Sequence, residues 1–265
     1  MAERVATLAP ETAAASRWPR YLAIAAVHLV LLLAWQLAVD GFAIRPFILP
    51  SPLAMLRTLD IANYRWAGNT VVTAIEIFGG FALAVVLGVM LALLFSWSRW
   101  LSLLVFPLFV TLNMIPKVAL GPLIIVWLSY GIGSNILITF SLCLFPILLT
   151  TARGLSEVEP ELVDLVRALK GSRWQIFAKI QLPGALPYLF SGMKVAAILA
   201  VAGAVVGEFI ASDRGLGYLM IQVQSALDTA AMFMAVLLLT GLGVALYLVV
   251  LLLERLCIPA GARME

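Results

Sequence analysis

Charge is what this sequence has least of. Asp, Glu, Lys and Arg make up 12% of its 265 residues, about half the ~25% that soluble domains carry, so there are too few to cover a water-facing surface. Histidine occurs once, at position 28, and cysteine twice. Neither count supports a metal cluster, and Cys143 and Cys257 stand far apart in apolar runs, so both read as buried free thiols that say nothing of redox compartment. There is no GxxxxGK[ST] phosphate loop and no acidic residue closing a buried apolar strand, so a nucleotide-driven motor would have to be another chain. No nucleophile, acid/base pair or metal-ligand set converges. Catalytic residues and metal ligands are both expected to be absent, which weighs against an enzyme.

What is present is apolar. Hydrophobic residues make up 63% of the chain, and the mean hydropathy is +1.08. They come in long blocks separated by short charged segments, the layout a bilayer-spanning chain requires. About 19 residues at ~1.5 Å each cross ~30 Å of hydrocarbon. Six segments meet or approach that length: Tyr21–Val39, Thr70–Phe95, Leu101–Trp127, Asn135–Ala152, Tyr188–Ala211 and Ala231–Leu256. The first follows Arg17 and Arg20 as a signal peptide would, but its apolar run is too long and no convincing small-residue cleavage site follows, so it reads as an uncleaved span. The division expected is a tail over 1–20, a membrane domain over 21–256 and a tail over 257–265.

Lys and Arg are retained on the cytoplasmic side of short loops. With the N-terminus inside, the inner set is Arg4, Arg17, Arg20, Arg99, Arg153, Arg167, Lys170, Arg173, Lys179, Arg255 and Arg263; the outer set is Arg45, Arg57, Arg65 and Arg214. Both termini are therefore expected in the cytoplasm. The net charge of +3 and pI near 9.0 come from basic residues scattered through loops, not from one stripe, which argues against nucleic acid as a partner.

The most polar stretch, residues 153–183, is amphipathic twice over. Pro160 suits a helix start, Leu162, Leu165, Val166 and Leu169 recur at helical spacing, and Gly171 is expected to end that helix in a left-handed conformation. Ser172 and Gln175 make a capping-box signal for a second short helix carrying Trp174, Phe177 and Ile180, stopped by Pro183. From periodicity alone the segment could equally rest on the membrane surface.

Its sequence resembles the EAA loop of ABC importer permeases, whose pattern is Glu-Ala-Ala, three residues, Gly, nine residues, then Ile-x-Leu-Pro. Ile180, Leu182 and Pro183 match the end. Counting back, Asp164 takes the place of Glu, Leu165 and Val166 those of the two Ala, and Lys170 that of Gly, with Gly171 one place late; the head of the motif thus departs from the pattern. Five further segments, LPSPLAML, NMIPKVALGPLIIVWLSYGIGS, LFPILLTTARGL, GALPYLFSGMKVA and GEFIASDRGLGYLM, look in this order like the nitrate, sulfonate and taurine branch of these permeases. The resemblance runs from Trp35 to Leu256.

It implies an all-α, polytopic membrane protein of six transmembrane helices with a cytoplasmic coupling loop, the type I ABC importer permease fold, in a bacterial inner membrane. It also implies partners: a dimer of ABC ATPase subunits that binds the ATP and Mg, a second permease copy, usually identical, and a periplasmic or extracellular solute-binding protein. This chain itself would bind no cofactor. Leu162, Leu165, Val166 and Leu169 would fill a groove on the ATPase, with Glu161, Asp164 and Arg167 at its rim and Gly171, Ile180, Leu182 and Pro183 completing the loop. The solute would be small, and a sulfonate, taurine, nitrate, bicarbonate or aromatic acid is expected.

Polar residues within spans cost about 2.5–3.5 kcal/mol on insertion scales, so each needs a partner or a wet cavity. Glu76 and Glu208 divide evenly between pairing across helices and a place in the pathway. Asn113, Pro116 and Lys117 interrupt an otherwise apolar span and are pathway candidates too. Lys194 is expected to snorkel to headgroups and His28 to pack or face them. Gly79, Gly80, Gly88, Gly203 and Gly207 read as packing residues. A secondary carrier or channel is the rival reading, and no internal repeat favours it.

Overall fold

The computed structural model describes residues 18–158 and 160–258; the tail residues 1–17 and 259–265, including Arg4, Arg17 and Arg263, lie outside them. Every element among the described residues is helical. In chain order they are α1 (Trp18–Gly41), α2 (Pro52–Arg57), α3 (Trp66–Trp97), α4 (Arg99–Leu104), α5 (Phe106–Asn113), α6 (Lys117–Leu128), α7 (Ile132–Ser156), α8 (Pro160–Ala168), α9 (Arg173–Ile176), α10 (Leu182–Ala211), α11 (Leu216–Ser225) and α12 (Thr229–Cys257).

Five of the six expected spans are single long helices. The third is not: over Leu101–Trp127 the chain passes through α4 and α5 and then bends by 97° across a three-residue break into α6. Pro116 causes it, since it has no N–H to donate and its ring cannot follow a helical turn. Lys117 then repairs the damage. In a continuous helix its own N–H would bond the Asn113 carbonyl; here its ammonium does so instead, at 2.8 Å, and also donates to the Asn113 side-chain oxygen at 2.7 Å.

The core is a sandwich with α7 between α3 and α10. It is built from small residues, as close packing of helices in lipid demands. Ala196, Ala197, Ala200 and Ala204 of α10 are fully buried against Ile77, Phe81, Ala84, Cys143 and Ile147. At Gly203 an added Cβ would lie 2.7 Å from the Thr139 Cα, so two backbones touch there. Cys143 is buried and leans on the Ala196 carbonyl, whereas Cys257 is exposed, at the end of the outlying α12. α1 is apolar all round and almost wholly exposed in the single chain, touching the rest mainly through α2 and a Trp35–Phe233 ring contact.

Lys194 does not snorkel. Glu254 of α12 lies at its depth, and the two pair at 2.8 Å with Glu254 buried, so the charges are neutralised where they stand. His28 bonds the Ile24 carbonyl of its own helix.

Gly203→Ala should cost about 1–3 kcal/mol through overpacking, whereas Gly68→Ala, which meets nothing within 4 Å, should leave stability unchanged or raised. Thermal unfolding of both variants in detergent measures the contrast, and equal midpoints would contradict the backbone contact.

Candidate functional site

The 153–183 segment is held on a rigid stem. α7 ends at Ser156, and Arg153 in its last turn bonds Glu157 through two nitrogens at 2.9 and 2.8 Å. The Tyr188 hydroxyl of α10 donates to the other Glu157 oxygen at 2.5 Å, and Gln181 reaches the Leu155 carbonyl. Entrance and exit of the segment are thus clipped together. Rings of Trp97, Trp174 and Phe177, with centroids 5.4–6.0 Å apart, fasten the same region to the end of α3.

α8 ends in a Schellman motif: Gly171 N–H bonds the Val166 carbonyl and Lys170 N–H that of Arg167. The left-handed residue is Lys170, with φ 58°, and not Gly171 as the spacing suggested. Gly171 is needed for another reason, since a Cβ there would sit 2.3 Å from a Val166 methyl. The Ser172–Gln175 capping box forms in both directions. Pro183 does not stop the next helix. The backbone widens into one π-turn over Phe177–Gln181 and runs on into α10; the wider turn accommodates the missing proline donor.

Leu162, Leu165 and Leu169 lie at i, i+3 and i+7 and are 42%, 57% and 74% exposed. Val166 is turned partly inward. Glu161 is exposed, and Asp164 carries only a surface ion pair with Arg167 at 3.2 Å. Ile180 is half-buried, while Leu182 and Pro183 are exposed where the segment rejoins the bundle. Three leucines on one face of a short clipped helix form an exposed apolar stripe among the described residues.

The five in-span candidates fall into two groups. Asn113, Pro116 and Lys117 form the corner of the bent pair, with the Lys117 ammonium 4.8 Å from the Phe145 ring centroid. Glu76 and Glu208 are brought into contact with each other, both essentially unexposed. Asn135 donates to Glu76 at 2.8 Å and Thr73 to Glu208 at 2.5 Å. The second Glu208 oxygen accepts from Gly217 N–H, and Thr73 accepts from Leu216 N–H at 2.8 Å. Gly215, at φ +112°, lets the loop pass so close that a Cβ would overlap the Glu208 carboxyl.

Reading the sequence for ionisable residues missed the neutral members of this network, Thr73 and Asn135, and the Glu157–Tyr188 clip. An amide inside an apolar run was the available signal for Asn135. Nothing local marks Tyr188, whose partner is 31 residues away.

Comparison with known proteins gives three results. The family described as "Binding-protein-dependent transport system inner membrane component" matches residues 84–258. The formylaminopyrimidine transport permease protein ThiX of Halalkalibacterium halodurans is 31% identical over 87% of this chain and 92% of its own, and the putative aliphatic sulfonates transport permease protein SsuC of Bacillus subtilis is 27% identical over 90% and 86%. Among solved structures, the inward-facing MetNI methionine ABC transporter matches with a TM-score of 0.58 and 19% identity, over 72% of this chain and 95% of that one.

The clip carries its own pH dependence. The Tyr188 hydroxyl, and then Arg153, hold the Glu157 carboxyl below the usual carboxylate range. Its contribution is therefore present above the unfolded pKa and lost as the pH falls through the folded one. Tyr188→Phe removes the larger cause, so protease sensitivity of residues 153–183 should appear at a higher pH on acidification than in wild type. Coincident acid profiles would show that the clip does not hold the stem.

Proposed function

The chain belongs to the binding-protein-dependent transport system inner membrane component family, and from that premise we propose that it carries a small oxyanion across the inner membrane, driven through residues 153–183 by a separate ATPase. It is a permease subunit of an ABC importer; such permeases are transporters, with ATP handled by the partner ATPase and solute brought by a binding protein.

The observation that carries the coupling role is the exposed leucine stripe on a helix whose two stems are clipped together. Leu162, Leu165 and Leu169 seat in the ATPase groove, with Val166 behind them and Glu161, Asp164 and Arg167 at the rim. Closure of the ATPase pair around Mg-ATP then displaces α8. The clip through Glu157 hands that displacement to α7 and α10 together, and the Trp97 cluster hands it to α3. A second, identical copy covers the apolar face of the bent pair, where Leu104, Met114, Val126 and Trp127 are all more than two-thirds exposed. Glu76 and Glu208 act as a pairing between helices, on the strength of their burial. The segment and both termini lie in the cytoplasm, on the charge asymmetry of the loops; reporters fused at Arg99 and Gly171 should read inside, and at Leu59 and Asp213 outside.

The solute reading rests on Lys117, a cation at the corner of a broken span with an aromatic ring beside it, which favours an oxyanion such as a sulfonate or nitrate. The similarity to ThiX favours a second reading, a flat uncharged pyrimidine. In competition uptake assays Lys117→Met should reduce transport several-fold for an oxyanion and leave a neutral pyrimidine unaffected.

Replacing Leu165 and Leu169 with Asp removes two apolar contacts worth about 1.5–3 kcal/mol each when buried. The ATPase should no longer co-purify, while membrane abundance stays at the wild-type level because these side chains are exposed and belong to none of the packed core clusters. Undiminished co-purification with normal uptake would refute the coupling role.

A further inference from the structure

At the end of the bundle remote from the coupling segment, the turn before α3 and the loop between α10 and α11 enclose an open basin of about 490 Å³, lined chiefly by Asn63, Arg65, Asp213, Arg214, Tyr218 and Gln222. Its floor is fixed. Asn69 accepts from Gly215 N–H at 3.0 Å and donates to the Tyr64 carbonyl at 2.9 Å, so both ends of its amide hold the two walls together.

Three of the groups facing the basin, Arg65, Arg214 and Tyr218, carry donors that are unused or only loosely used. The Arg65 guanidinium has no hydrogen bond or ion pair among the described residues. Arg214 has only a loose exposed pair with the neighbouring Asp213, at 3.6 Å. The Tyr218 oxygen accepts from Gln222 at 2.7 Å, which leaves its O–H free to donate. Two guanidiniums against one carboxylate leave a net positive site.

Arg65 is also the wrong residue for the backbone it occupies. It sits at φ 44°, ψ 45°, immediately before the first turn of α3, and makes no side-chain cap. Left-handed geometry favours Gly or Asn, and so does the capping position. Local folding preferences therefore argue against Arg here, and what an Arg supplies is its charge.

We propose that Arg65 and Arg214, with the Tyr218 hydroxyl, form a binding site for the oxyanion of a small carboxylate or sulfonate on the face opposite the ATPase. The site deepens the importer reading, from which it takes its place as the solute's first contact with this chain. The two guanidiniums supply paired N–H donors matched to planar or tetrahedral oxyanions, and the phenol adds a third direction.

The test uses the full chain in phosphatidylcholine nanodiscs at constant ionic strength, with benzoate and methanesulfonate as probes read by saturation-transfer NMR. Saturable binding is expected for at least one probe, weakened about tenfold or more by Arg65→Asn and by Arg214→Gln, as loss of a charged hydrogen bond implies. Arg65→Asn and Arg65→Gly should unfold at or above the wild-type temperature, because both relieve the backbone. Absence of saturable binding of either probe, or binding insensitive to Arg65→Asn, overturns the site; so does a lowered unfolding temperature in both Arg65 variants, which would make Arg65 a folding residue. The same chemistry could come from a carboxylate of the solute-binding protein. If Arg65→Asn abolishes docking of the solute-free binding protein while probe binding persists, the surface serves that partner and the solute site falls. Binding is read on the isolated chain and uptake on the assembled transporter, so failure of this site and failure of the anion-import reading give different results.

Discussion

Thr73, Glu76, Asn135 and Glu208 are polar side chains buried inside the bundle, and the hydrogen bonds they make tie its helices together, although Glu76 Oε2 and Asn135 Oδ1 find no partner among the described residues. In hydrocarbon each unpaired group would cost several kcal/mol. The hydrogen bonds made there join α3, α7, α10 and the first turn of α11, so this one node selects a register for the three core helices. Apolar packing in lipid is permissive about sliding and rotation. The small residues let the helices approach, and the node decides where they stop.

How much of this was legible follows from the same distinction. Hydropathy blocks placed the five long apolar helices and the bent pair, because apolar runs follow from local composition. They could not show the 97° break in the third, although Pro116 marked its position, since a bend is set by what the neighbouring helices leave room for. Within residues 153–183 the capping box was readable because both partners lie three residues apart. The left-handed site was misplaced by one position, from Gly171 to Lys170, because the glycine answers a steric demand of Val166 and not a torsional one. Lys194 was misread because its partner is 60 residues distant. The Glu157–Tyr188 clip was invisible for the same reason.

The two ends of the molecule differ in kind. One ends in exposed leucines and an aromatic cluster, surfaces suited to gripping another protein. The other ends in a hydrogen-bonded loop with arginines above it, a surface suited to small polar cargo. The polar node lies nearer the second end and braces its loop through Glu208 and Thr73.

α3 reaches both. Its 32 residues extend roughly 48 Å at 1.5 Å per residue, well beyond the ~30 Å hydrocarbon thickness. α7 and α10 each contain an internal proline, Pro146 and Pro187; α3 contains none. Of the three core helices it is the one with no proline hinge, a strut whose tilt at one water boundary is repeated at the other within a single rigid rotation.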